Sequence, residues 1–485
     1  MKMAMQYRIA DLMETSGVRF GTSGARGLVA AMTAEVCHAY AVAFLQAVPA
    51  KAGRVALAID LRPSSPAIAS ACVAAIEAAG LKADYCGAIP TPALALYAEA
   101  EGIPAIMVTG SHIPFDRNGI KFYSANGEIT KDDEARIRDA IVTVPDSGVT
   151  APLPAPNDAA RRAYLQRYRD FFPSAFLAGK KVAVYEHSSV ARDLLRELLE
   201  GFGAQVLSLG RTDAFVPIDT EAVSAEDVAQ ARRWAVANSF DAIVSTDGDA
   251  DRPLIGDENG DWFRGDVTGI LCAQYLGAGA VATTVNCNTA IDSCGAFSRV
   301  TRTRIGSPYV IEGIEQLLAA DAGTVVGFEP NGGFLVGSPL TRSGRALAAL
   351  KTRDAVLPML SLLALAGENG QPLSALSSRL PARFTASDRL QAFSTARSRA
   401  LIAELTASSA AIEDFLAGLA GKPVSIDETD GLRIRLDSDE IVHLRPSGNA
   451  PELRCYAEAS DAARARHLVE ECLKRVLAFG GTTAD

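Results

Sequence analysis

The chain has 485 residues, 48% of them hydrophobic and 21% charged, and its formal net charge is −10. This length predicts three or four domains at roughly 150 residues each, and the composition is that of a globular protein with an ample core. The acidic balance argues against a nucleic-acid surface, which needs a basic face, whereas a local arginine cluster can still bind a small anion.

Three further features bear on where the protein works. Residues 1–8 contain no apolar stretch of the kind found in a secretory signal. The longest strongly apolar run, residues 356–366, is too short to span a bilayer. Eight cysteines occur without a Cys-x-x-Cys spacing, which favours reduced thiols over a zinc site. We therefore expect a cytoplasmic protein without a membrane partner.

The first block opens with a glycine-rich loop at residues 18–27. Its backbone N–H groups and the charges of Arg19 and Arg26 suit an anion. The hydrophobic pattern then alternates between helices and strands. Helices are predicted at 34–48, with Thr33 as N-cap, and at 64–79, and strands at 55–60, 83–86 and 105–108. This order predicts a mostly parallel sheet.

Ser111 and His112 directly follow the short buried strand predicted at the end of this series. Gly110 can adopt a positive φ and lets another group approach the backbone closely. A turn predicted at residues 118–121 brings the amine of Lys121 back toward the serine. The stretch therefore offers a hydroxyl nucleophile, an imidazole and an ammonium group, although a Ser-His pair in an ordinary loop is the alternative for this stretch alone.

A second α/β block follows a linker that is predicted at residues 147–157 from its proline, glycine and alanine content. Strands are predicted at 181–185, 205–209 and 241–245, and helices at 191–203 and 225–237. The last of these strands leads straight into an acidic loop.

Three aspartates alternate along this acidic loop, Asp247, Asp249 and Asp251, and so project from one side of an extended segment. Like charges so close repel unless a cation lies among them, and hard oxygen ligands favour Mg²⁺, Mn²⁺ or Ca²⁺. An EF-hand is rejected because Arg252 stands where that loop needs glycine and because a strand, not a helix, precedes it. The loop predicts a divalent-metal site.

A third α/β block is predicted from strands at 281–285, 300–304 and 324–328 and a helix at 309–320. Its last strand ends in a polar loop that contains Glu329 and Asn331. These two side chains could both offer oxygens to the hydroxyl groups of one ligand, and a plain β-turn is the alternative.

The final block differs in kind and follows a linker predicted at residues 365–373. Antiparallel strands are predicted at 424–426, 432–436, 441–444 and 453–457, closed by a helix at 462–478. Between two strands lies a loop with Arg445, Ser447, Gly448 and Asn449, and Arg454 stands beyond it. A guanidinium, a hydroxyl, an amide and free backbone N–H groups make a phosphate cradle, with a hairpin loop as the alternative.

Together these loops supply a serine with candidate bases, a metal site, a hydroxyl-binding loop and a phosphate loop. A nucleophilic serine beside a metal and a phosphate site implies phosphoryl transfer, in which positioning and charge neutralisation supply most of the catalysis. These residues do not specify a sugar as the substrate.

Four segments of the chain resemble, in order and spacing, the motif set of the α-D-phosphohexomutases. The segments that carry the resemblance are 20–27 (FGTSGARG), 109–114 (TGSHIP), 247–252 (DGDADR) and 445–451 (RPSGNAP). The resemblance implies an α/β, four-domain architecture around a central cleft, with three similar α/β domains and a C-terminal α+β domain like the TATA-binding protein. We expect domain limits of 1–152, 153–258, 259–370 and 371–485.

The resemblance also implies roles for the site residues. Ser111 would carry a phosphoryl group, and its phosphate oxygen and the three aspartates would hold Mg²⁺. Arg26, Arg252, His112 and Lys121 would line the reacting phosphoryl group, with Lys121 as a general acid/base candidate. The remaining residues would bind the substrate: Glu329 and Asn331 through sugar hydroxyls, and Arg445, Ser447, Gly448 and Asn449 through its phosphate.

The implied reaction interconverts a hexose 1-phosphate and a hexose 6-phosphate, most plausibly of mannose, through phosphoserine and a hexose 1,6-bisphosphate. Glucose or glucosamine phosphates are alternative substrates, and a sugar-phosphate phosphatase or a non-catalytic sugar-phosphate-binding homologue are alternative functions. The expected partner is a small sugar phosphate, and the expected assembly is a monomer or a homodimer.

Four positions depart from the patterns common among the phosphohexomutases. Gly110 and Ile113 replace alanine and asparagine in the serine loop, and Asn286 stands where many relatives have lysine. Gly333 replaces the histidine that commonly ends the sugar loop. Gly110 should relax the serine loop and Ile113 lacks a polar side chain, but neither removes the nucleophile, whereas Asn286 and Gly333 bear on sugar specificity.

Overall fold

The computed structural model describes residues 5–21, 24–447 and 451–479, and the chain forms four successive blocks, each with a main sheet of its own. The first three blocks are α/β, and the fourth is an antiparallel sheet with helices. The predicted fold class and the four-block organisation are therefore confirmed.

The first block contains a seven-stranded sheet with a parallel centre. Its strand order is Arg19–Phe20, Ala25–Leu28, Arg117–Ser124, Ala105–Val108, Arg54–Ile59 and Lys82–Ala88, and Gly127–Glu128 pairs with Arg117–Ser124. A separate antiparallel pair joins Met5–Arg8 to Ile141–Val144. The helices are Ile9–Ser16, Ala34–Ala47, Ser65–Ala78, Thr91–Glu101 and Lys131–Asp139, with a 3₁₀ turn at Val29–Ala31. The predicted strands and helices of this block are confirmed to within two residues, including the cap, where Thr33 accepts a hydrogen bond from Val36 N.

The turn predicted at residues 118–121 is wrong, because these residues lie inside the strand Arg117–Ser124. This strand runs antiparallel to Ala105–Val108, with Lys121 opposite Met107. The apolar residues on both sides of Lys121 are buried in the core, so burial overrides the turn preference of the Asn-Gly dipeptide. Lys121 is consequently held by a strand and not by a loop.

The second and third blocks repeat the layout of the first. The second has the strand order Gln205–Leu209, Lys181–Tyr185, Ala242–Thr246 and Pro253–Gly256, with helices Ala159–Phe171, Arg192–Gly201 and Ala225–Asn238. The third has the order Arg299–Thr303, Ala280–Thr284, Val325–Phe328, Phe334–Val336 and Leu350–Asp354, and a hairpin of Leu340–Arg342 and Arg345–Leu347. Its helices are Gly265–Leu276, Ala290–Ser293, Ser307–Ala319 and Val356–Glu368, followed by the 3₁₀ helix Leu373–Arg379.

The linker predicted at residues 365–373 is wrong in its first half, because the helix Val356–Glu368 continues through it. Leu373 and Leu376 of the 3₁₀ helix that follows are buried in the same cluster as this helix. The local glycine and asparagine content therefore marks a helix end and a turn within the third block. The domain limits themselves stay predictions.

The last block is a five-stranded antiparallel sheet with helices. Its strand order is Phe384–Leu390, Leu453–Ala459, Ile441–Pro446, Leu432–Leu436 and Pro423–Asp427, and its helices are Thr395–Thr406, Ser409–Leu416 and Ala462–Phe479. The four predicted strands and the closing helix are confirmed. The strand Phe384–Leu390 and the first two helices were not predicted.

One topological unit recurs in the three α/β blocks and positions the site. In each block a central strand has two parallel neighbours, and one of these neighbours pairs antiparallel with the next strand of the chain. The connections between these antiparallel partners are residues 109–116, 247–252 and 329–333. The three predicted functional loops therefore occupy equivalent hairpin positions.

Candidate active site

The serine loop and the acidic loop meet at Ser111. Ser111 is fully buried, and its Oγ donates a hydrogen bond of 2.6 Å to Asp247 Oδ2. His112 Nδ1 lies 3.3 Å from Ser111 Oγ. The left-handed conformation belongs to Ser111, with φ of 52°, and not to Gly110 as the sequence suggested. A candidate nucleophile from the first block is thus placed at the acidic cluster of the second.

Two buried charged side chains, Asp60 and Arg62, form hydrogen bonds with the serine loop. Asp60 Oδ2 accepts hydrogen bonds from Thr109 Oγ1 at 2.8 Å and from Gly110 N at 3.2 Å. The Arg62 guanidinium donates to loop carbonyl groups, those of Ser111 (3.0 Å), Pro114 (2.8 Å), Arg117 (2.9 Å) and Ile113.

Gly110 makes this arrangement possible. A Cβ at Gly110 would lie 2.5 Å from Arg62 Cζ, so any side chain would displace the guanidinium. The close approach expected at Gly110 is therefore real, and Arg62 is the group that approaches. Arg62 in turn lies 3.9 Å from the ring centroid of Phe215, which adds a cation–π contact with the second block.

The acidic cluster has the composition of a divalent-metal site. Asp247, Asp249 and Asp251 are buried, and each offers one carboxylate oxygen within 4.8 Å of the others. Asp249 Oδ1 and Asp251 Oδ1 have no hydrogen-bond partner among the described residues. Burial, and then the charges of Asp249 and Asp251, raise the pKa of Asp247 well above its ordinary value. A bound divalent cation would relieve this repulsion, so the donor set fits Mg²⁺.

Helix Thr91–Glu101 supports the metal loop from the first block. Thr91 N donates to the Asp249 carbonyl oxygen at 2.9 Å, and Thr91 Oγ1 donates to Asp249 Oδ2 at 2.6 Å. The positive end of the helix dipole adds to the stabilisation of this carboxylate. Thr91 therefore fixes Asp249 so that its second oxygen, Oδ1, is left for another partner.

Lys121 contributes a buried cation to the same cluster. Its Nζ lies 2.7 Å from Asp249 Oδ2 and 2.8 Å from Asp251 Oδ2. Burial alone would lower the pKa of Lys121, but the charges of Asp249 and Asp251 outweigh it and raise that pKa. Lys121 is thus an ammonium group while it is paired with these two carboxylates.

A cluster of positive charges lies beside these carboxylates. Burial, and then the neighbouring Arg252 and Arg353, lower the pKa of Arg26 to about 10. Arg252 Nε lies 3.5 Å from Asp251 Oδ1. Burial, with Arg252 and Arg26 next in effect, also holds the pKa of His112 well below its ordinary value. Several guanidinium groups and an uncharged imidazole therefore line one small region, as a phosphoryl-binding site requires.

The sugar loop is a tight hairpin whose two predicted residues differ in what they can offer. Glu329 is buried and forms an ion pair with Arg353, Oε2 to Nη1 at 3.2 Å. Asn331 uses its side-chain oxygen to accept a hydrogen bond from Gly333 N at 2.9 Å, while Thr220 Oγ1 donates to the Asn331 carbonyl at 2.7 Å. Asn331 Oδ1 therefore stabilises the loop, so its Nδ2 is the group with which it could bind a hydroxyl.

The phosphate loop lies on the last block. Arg445 is the last residue but one of the strand Ile441–Pro446, and its Nε is 2.9 Å from Asp430 Oδ2. Ser447 is buried next to it. Gly448 and Asn449, the other two predicted residues of this loop, lie outside the described residues, as do Thr22 and Ser23 of the first glycine-rich loop.

Three site residues carry no sequence signal that could have identified them: Arg62, Thr91 and Arg353. Each is far along the chain from the group that it contacts. A buried arginine is costly unless it is paired, so Arg62 and Arg353 stand out only once their burial is known.

Comparison with known proteins agrees with this geometry. Models of the phosphoglucomutase/phosphomannomutase family match the chain at residues 17–146 (alpha/beta/alpha domain I), 264–384 (alpha/beta/alpha domain III) and 395–475 (C-terminal domain). A phosphomannomutase of Salmonella muenchen is 50% identical over 97% of this chain and 98% of its own length. A phosphomannomutase of Sinorhizobium fredii is 44% identical over 94% and 98%.

The fold is also that of a solved structure, a phosphoglucomutase/phosphomannomutase family protein from Burkholderia thailandensis. The TM-score is 0.71 at 20% identity, over 96% of this chain and 98% of that one. None of the helices in the described part of the chain combines the length and the apolar character needed to cross a bilayer.

Proposed function

The chain belongs to the phosphoglucomutase/phosphomannomutase family, and we propose that it is a phosphomannomutase, which interconverts mannose 1-phosphate and mannose 6-phosphate. The observation that carries the proposal is the 2.6 Å contact of Ser111 Oγ with Asp247, which joins a hydroxyl nucleophile to a metal-type acidic cluster. The choice of mannose rests on the similarity over nearly the whole chain to two phosphomannomutases.

Ser111, Asp247, Asp249 and Asp251 are the residues that would hold Mg²⁺, the serine through a phosphate oxygen once it is phosphorylated. The bound ion would neutralise charge on the transferring phosphoryl group. Asp249 Oδ1 and Asp251 Oδ1, which have no hydrogen-bond partner among the described residues, support this assignment.

Phosphorylated Ser111 would transfer its phosphoryl group to the free hydroxyl of a hexose monophosphate. The bond from Ser111 Oγ to phosphorus breaks, a bond from the sugar oxygen to phosphorus forms, and the proton of the sugar hydroxyl ends, in net terms, on Ser111 Oγ. In the return step Ser111 Oγ attacks phosphorus, and the uncharged His112, whose Nδ1 lies 3.3 Å from that oxygen, can accept the proton that Oγ loses. Lys121, an ammonium group while it is paired with Asp249 and Asp251, would donate a hydrogen bond or a proton. Arg26 and Arg252 would stabilise the phosphoryl oxygens.

The product of this first step is a hexose 1,6-bisphosphate, which must turn over so that its other phosphate can return to Ser111. Arg445, Ser447, Gly448 and Asn449 would hold the phosphate that is not reacting, and Glu329 and Asn331 would bind the sugar hydroxyls. Closure of the last block over the sugar would exclude water, which otherwise hydrolyses the phosphoserine.

Added hexose 1,6-bisphosphate should act as an activator, because it can phosphorylate Ser111 of an enzyme that has lost its phosphate. The protein would work on small sugar phosphates in the cytoplasm, as a monomer or a homodimer. These finer points stay proposals, as do the four domain limits.

The test is the conversion of mannose 1-phosphate to mannose 6-phosphate by purified protein with Mg²⁺ and catalytic hexose 1,6-bisphosphate. Glucose 1-phosphate and glucosamine 1-phosphate serve as parallel substrates, and Ser111→Ala is the control. Turnover that is fastest with mannose and absent in Ser111→Ala supports the proposal. Release of inorganic phosphate without isomerisation would identify a phosphatase, and no reaction with any substrate would leave a binding protein.

A further inference from the structure

At the end of the sugar loop, the Arg353 side chain fills the space that a side chain at residue 333 would need. Gly333 stands where the resemblance to phosphohexomutases places a histidine. A Cβ at this position would lie 2.5 Å from Arg353 Cδ and 2.7 Å from its Cγ. These atoms are close to the root of the arginine side chain, so a side chain at residue 333 and Arg353 in its present position exclude each other.

Arg353 is buried, with 3% of its surface exposed, and its guanidinium lies between two loops. Nη2 is 2.8 Å from Asp251 Oδ2 in the metal loop, and Nη1 is 3.2 Å from Glu329 Oε2 in the sugar loop. One planar cation therefore binds a carboxylate from each of two blocks. Arginine is suited to this because its donors diverge in a fixed plane.

The contact with Asp251 sets which of its oxygens is available. Asp251 Oδ2 accepts from both Arg353 and Lys121, while Oδ1 has no hydrogen-bond partner among the described residues. The 2.8 Å contact with Arg353 thereby fixes the orientation of this carboxylate.

The backbone that carries Arg353 is itself fixed. The next residue, Asp354, accepts hydrogen bonds from the hydroxyl groups of Tyr164, at 2.7 Å, and Tyr168 on the second block. Asp354 also pairs with Phe334 in the sheet, directly after Gly333. The guanidinium is therefore presented from a rigid strand end.

We propose that Arg353 is a positioning residue that couples the metal loop to the sugar loop, and that Gly333 is the small residue that admits it. Arg353 orients Asp251 toward the cation and Glu329 toward the sugar, so its removal weakens both sites at once. The metal half of the proposal stands on geometry alone, whereas the sugar half rests on the proposed hexose phosphate function.

The first test measures Mg²⁺ affinity by calorimetry without sugar, together with KM and kcat for mannose 1-phosphate. Arg353→Ala is expected to weaken Mg²⁺ binding and to raise KM, each by about 10-fold, as is usual when a residue that orients a metal ligand is removed. Arg353→Lys keeps the charge but not the two-pronged geometry and should fall in between. Arg342→Ala is the matched control, because Arg342 pairs with the exposed Glu368 in the same block.

The second test is a double-mutant cycle. Gly333→Ala should weaken Mg²⁺ binding by displacing Arg353, and it should have little further effect in the Arg353→Ala background. Full additivity of the two substitutions would contradict the proposal, because it would mean that residue 333 does not act through Arg353.

The proposal is overturned if Arg353→Ala binds Mg²⁺ with wild-type affinity, or if Arg353→Lys matches the wild type in both readouts. Should Arg353→Ala fail to fold, Arg353→Lys and Gly333→Ala decide the question by the same measurements. Because Mg²⁺ binding is measured without sugar, a protein that turns over no mannose phosphate would refute the proposed function and still test Arg353.

Discussion

The two ends of the candidate site are built in opposite ways. The serine, metal and sugar loops belong to three blocks that share one buried cluster, which includes residues from Ala56 in the first block to Leu380 at the end of the third. The phosphate loop belongs to a block whose buried cluster contains only its own residues, from Phe393 to Val476. The catalytic end is thus part of a shared core, and the phosphate-binding end is a separate body.

Polar contacts join the last block to the third. Thr289 N donates to Glu458 Oε2 at 3.0 Å, and Ile305 N donates to Asp430 Oδ2 at 2.9 Å. Relative motion is the default expectation between domains unless their interface is large and hydrophobic. From the shared cluster of the first three blocks we expect the reacting groups to be in place before the substrate binds. From the separate cluster of the last block we expect the proposed phosphate loop to adjust its position, as a substrate that binds in two orientations would require.

Ser111→Ala is expected to have the largest effect, because it removes the proposed nucleophile from the end of the site that the serine, metal and sugar loops form. We expect turnover of mannose 1-phosphate to fall by at least about 1,000-fold, because the variant lacks the hydroxyl that is proposed to carry the phosphoryl group. The measurement is coupled-assay turnover with hexose 1,6-bisphosphate present. Ser293→Ala, at an exposed serine of the third block, is the control. Retained turnover in Ser111→Ala would remove Ser111 from the reaction.

Lys121→Met probes the charge balance of the fixed end. It removes the buried cation that pairs with both Asp249 and Asp251, so we expect the free energy of unfolding to fall by about 3–5 kcal/mol in the absence of metal. Added Mg²⁺ should recover part of the loss, because it binds only the folded cluster. Urea denaturation with and without Mg²⁺ measures both effects.

Lys131→Met is the matched control, since Lys131 forms an exposed pair with Glu134 that contributes little. An equal loss of stability in the two lysine variants would show that the acidic cluster is not under strain without its cation.

Arg445→Ala probes the separate end. We expect KM to rise by about 10- to 100-fold, the effect of losing a charge-assisted hydrogen bond to phosphate, while Mg²⁺ affinity stays unchanged. Steady-state kinetics and calorimetry measure the two quantities. Arg435→Ala, which removes an exposed pair with Asp439, is the control. A change in Mg²⁺ affinity in Arg445→Ala would contradict the independence of the two ends.

The loss of stability at acid pH can be assigned to one buried histidine at each end of the site. Burial lowers the pKa of His443 in the last block, and that of His187 in the second, from 6.5 to about 4. Between these values the unfolded histidine binds a proton that the folded one does not, so stability is lost as the pH falls from about 6.5 toward 4. Each histidine should cost about 2 kcal/mol between pH 7 and pH 5.

Urea denaturation of the wild type, His443→Gln and His187→Gln at both pH values tests this expectation. Each substitution should remove its own share of the acid-induced loss. A loss in both variants that equals that of the wild type would assign the acid sensitivity to other groups.

Much of the candidate site could be predicted from short stretches of sequence. Ser111, the three aspartates and Glu329 all directly follow short apolar runs, and such a run ends at the edge of a sheet. Because each of these groups lies next to its own apolar run in the chain, local pattern was enough to place them on loops. The metal site followed from three carboxylates at alternate positions, since repulsion requires a partner whatever the fold.

Only the tertiary structure decided how these loops are held together. Lys121 was assigned to a turn from its Asn-Gly neighbour, but the burial of the residues around it makes a strand. Arg62 and Arg353 were not found, because an arginine in a sequence gives no sign that it will be buried. Their partners lie in loops up to about a hundred residues away, as Asp251 does from Arg353.

The sequence by itself thus determined which groups take part, because side-chain chemistry and alternation along a strand are local properties. The tertiary structure determined their orientation and charge state. It decided which oxygen of Asp251 faces Arg353 and Lys121, and it lowers the pKa of His112 while it raises that of Lys121. It also shows that Arg353 fills the space that a side chain at residue 333 would need. These depend on burial and on Coulomb interactions between distant segments, and both arise only when the blocks pack against one another.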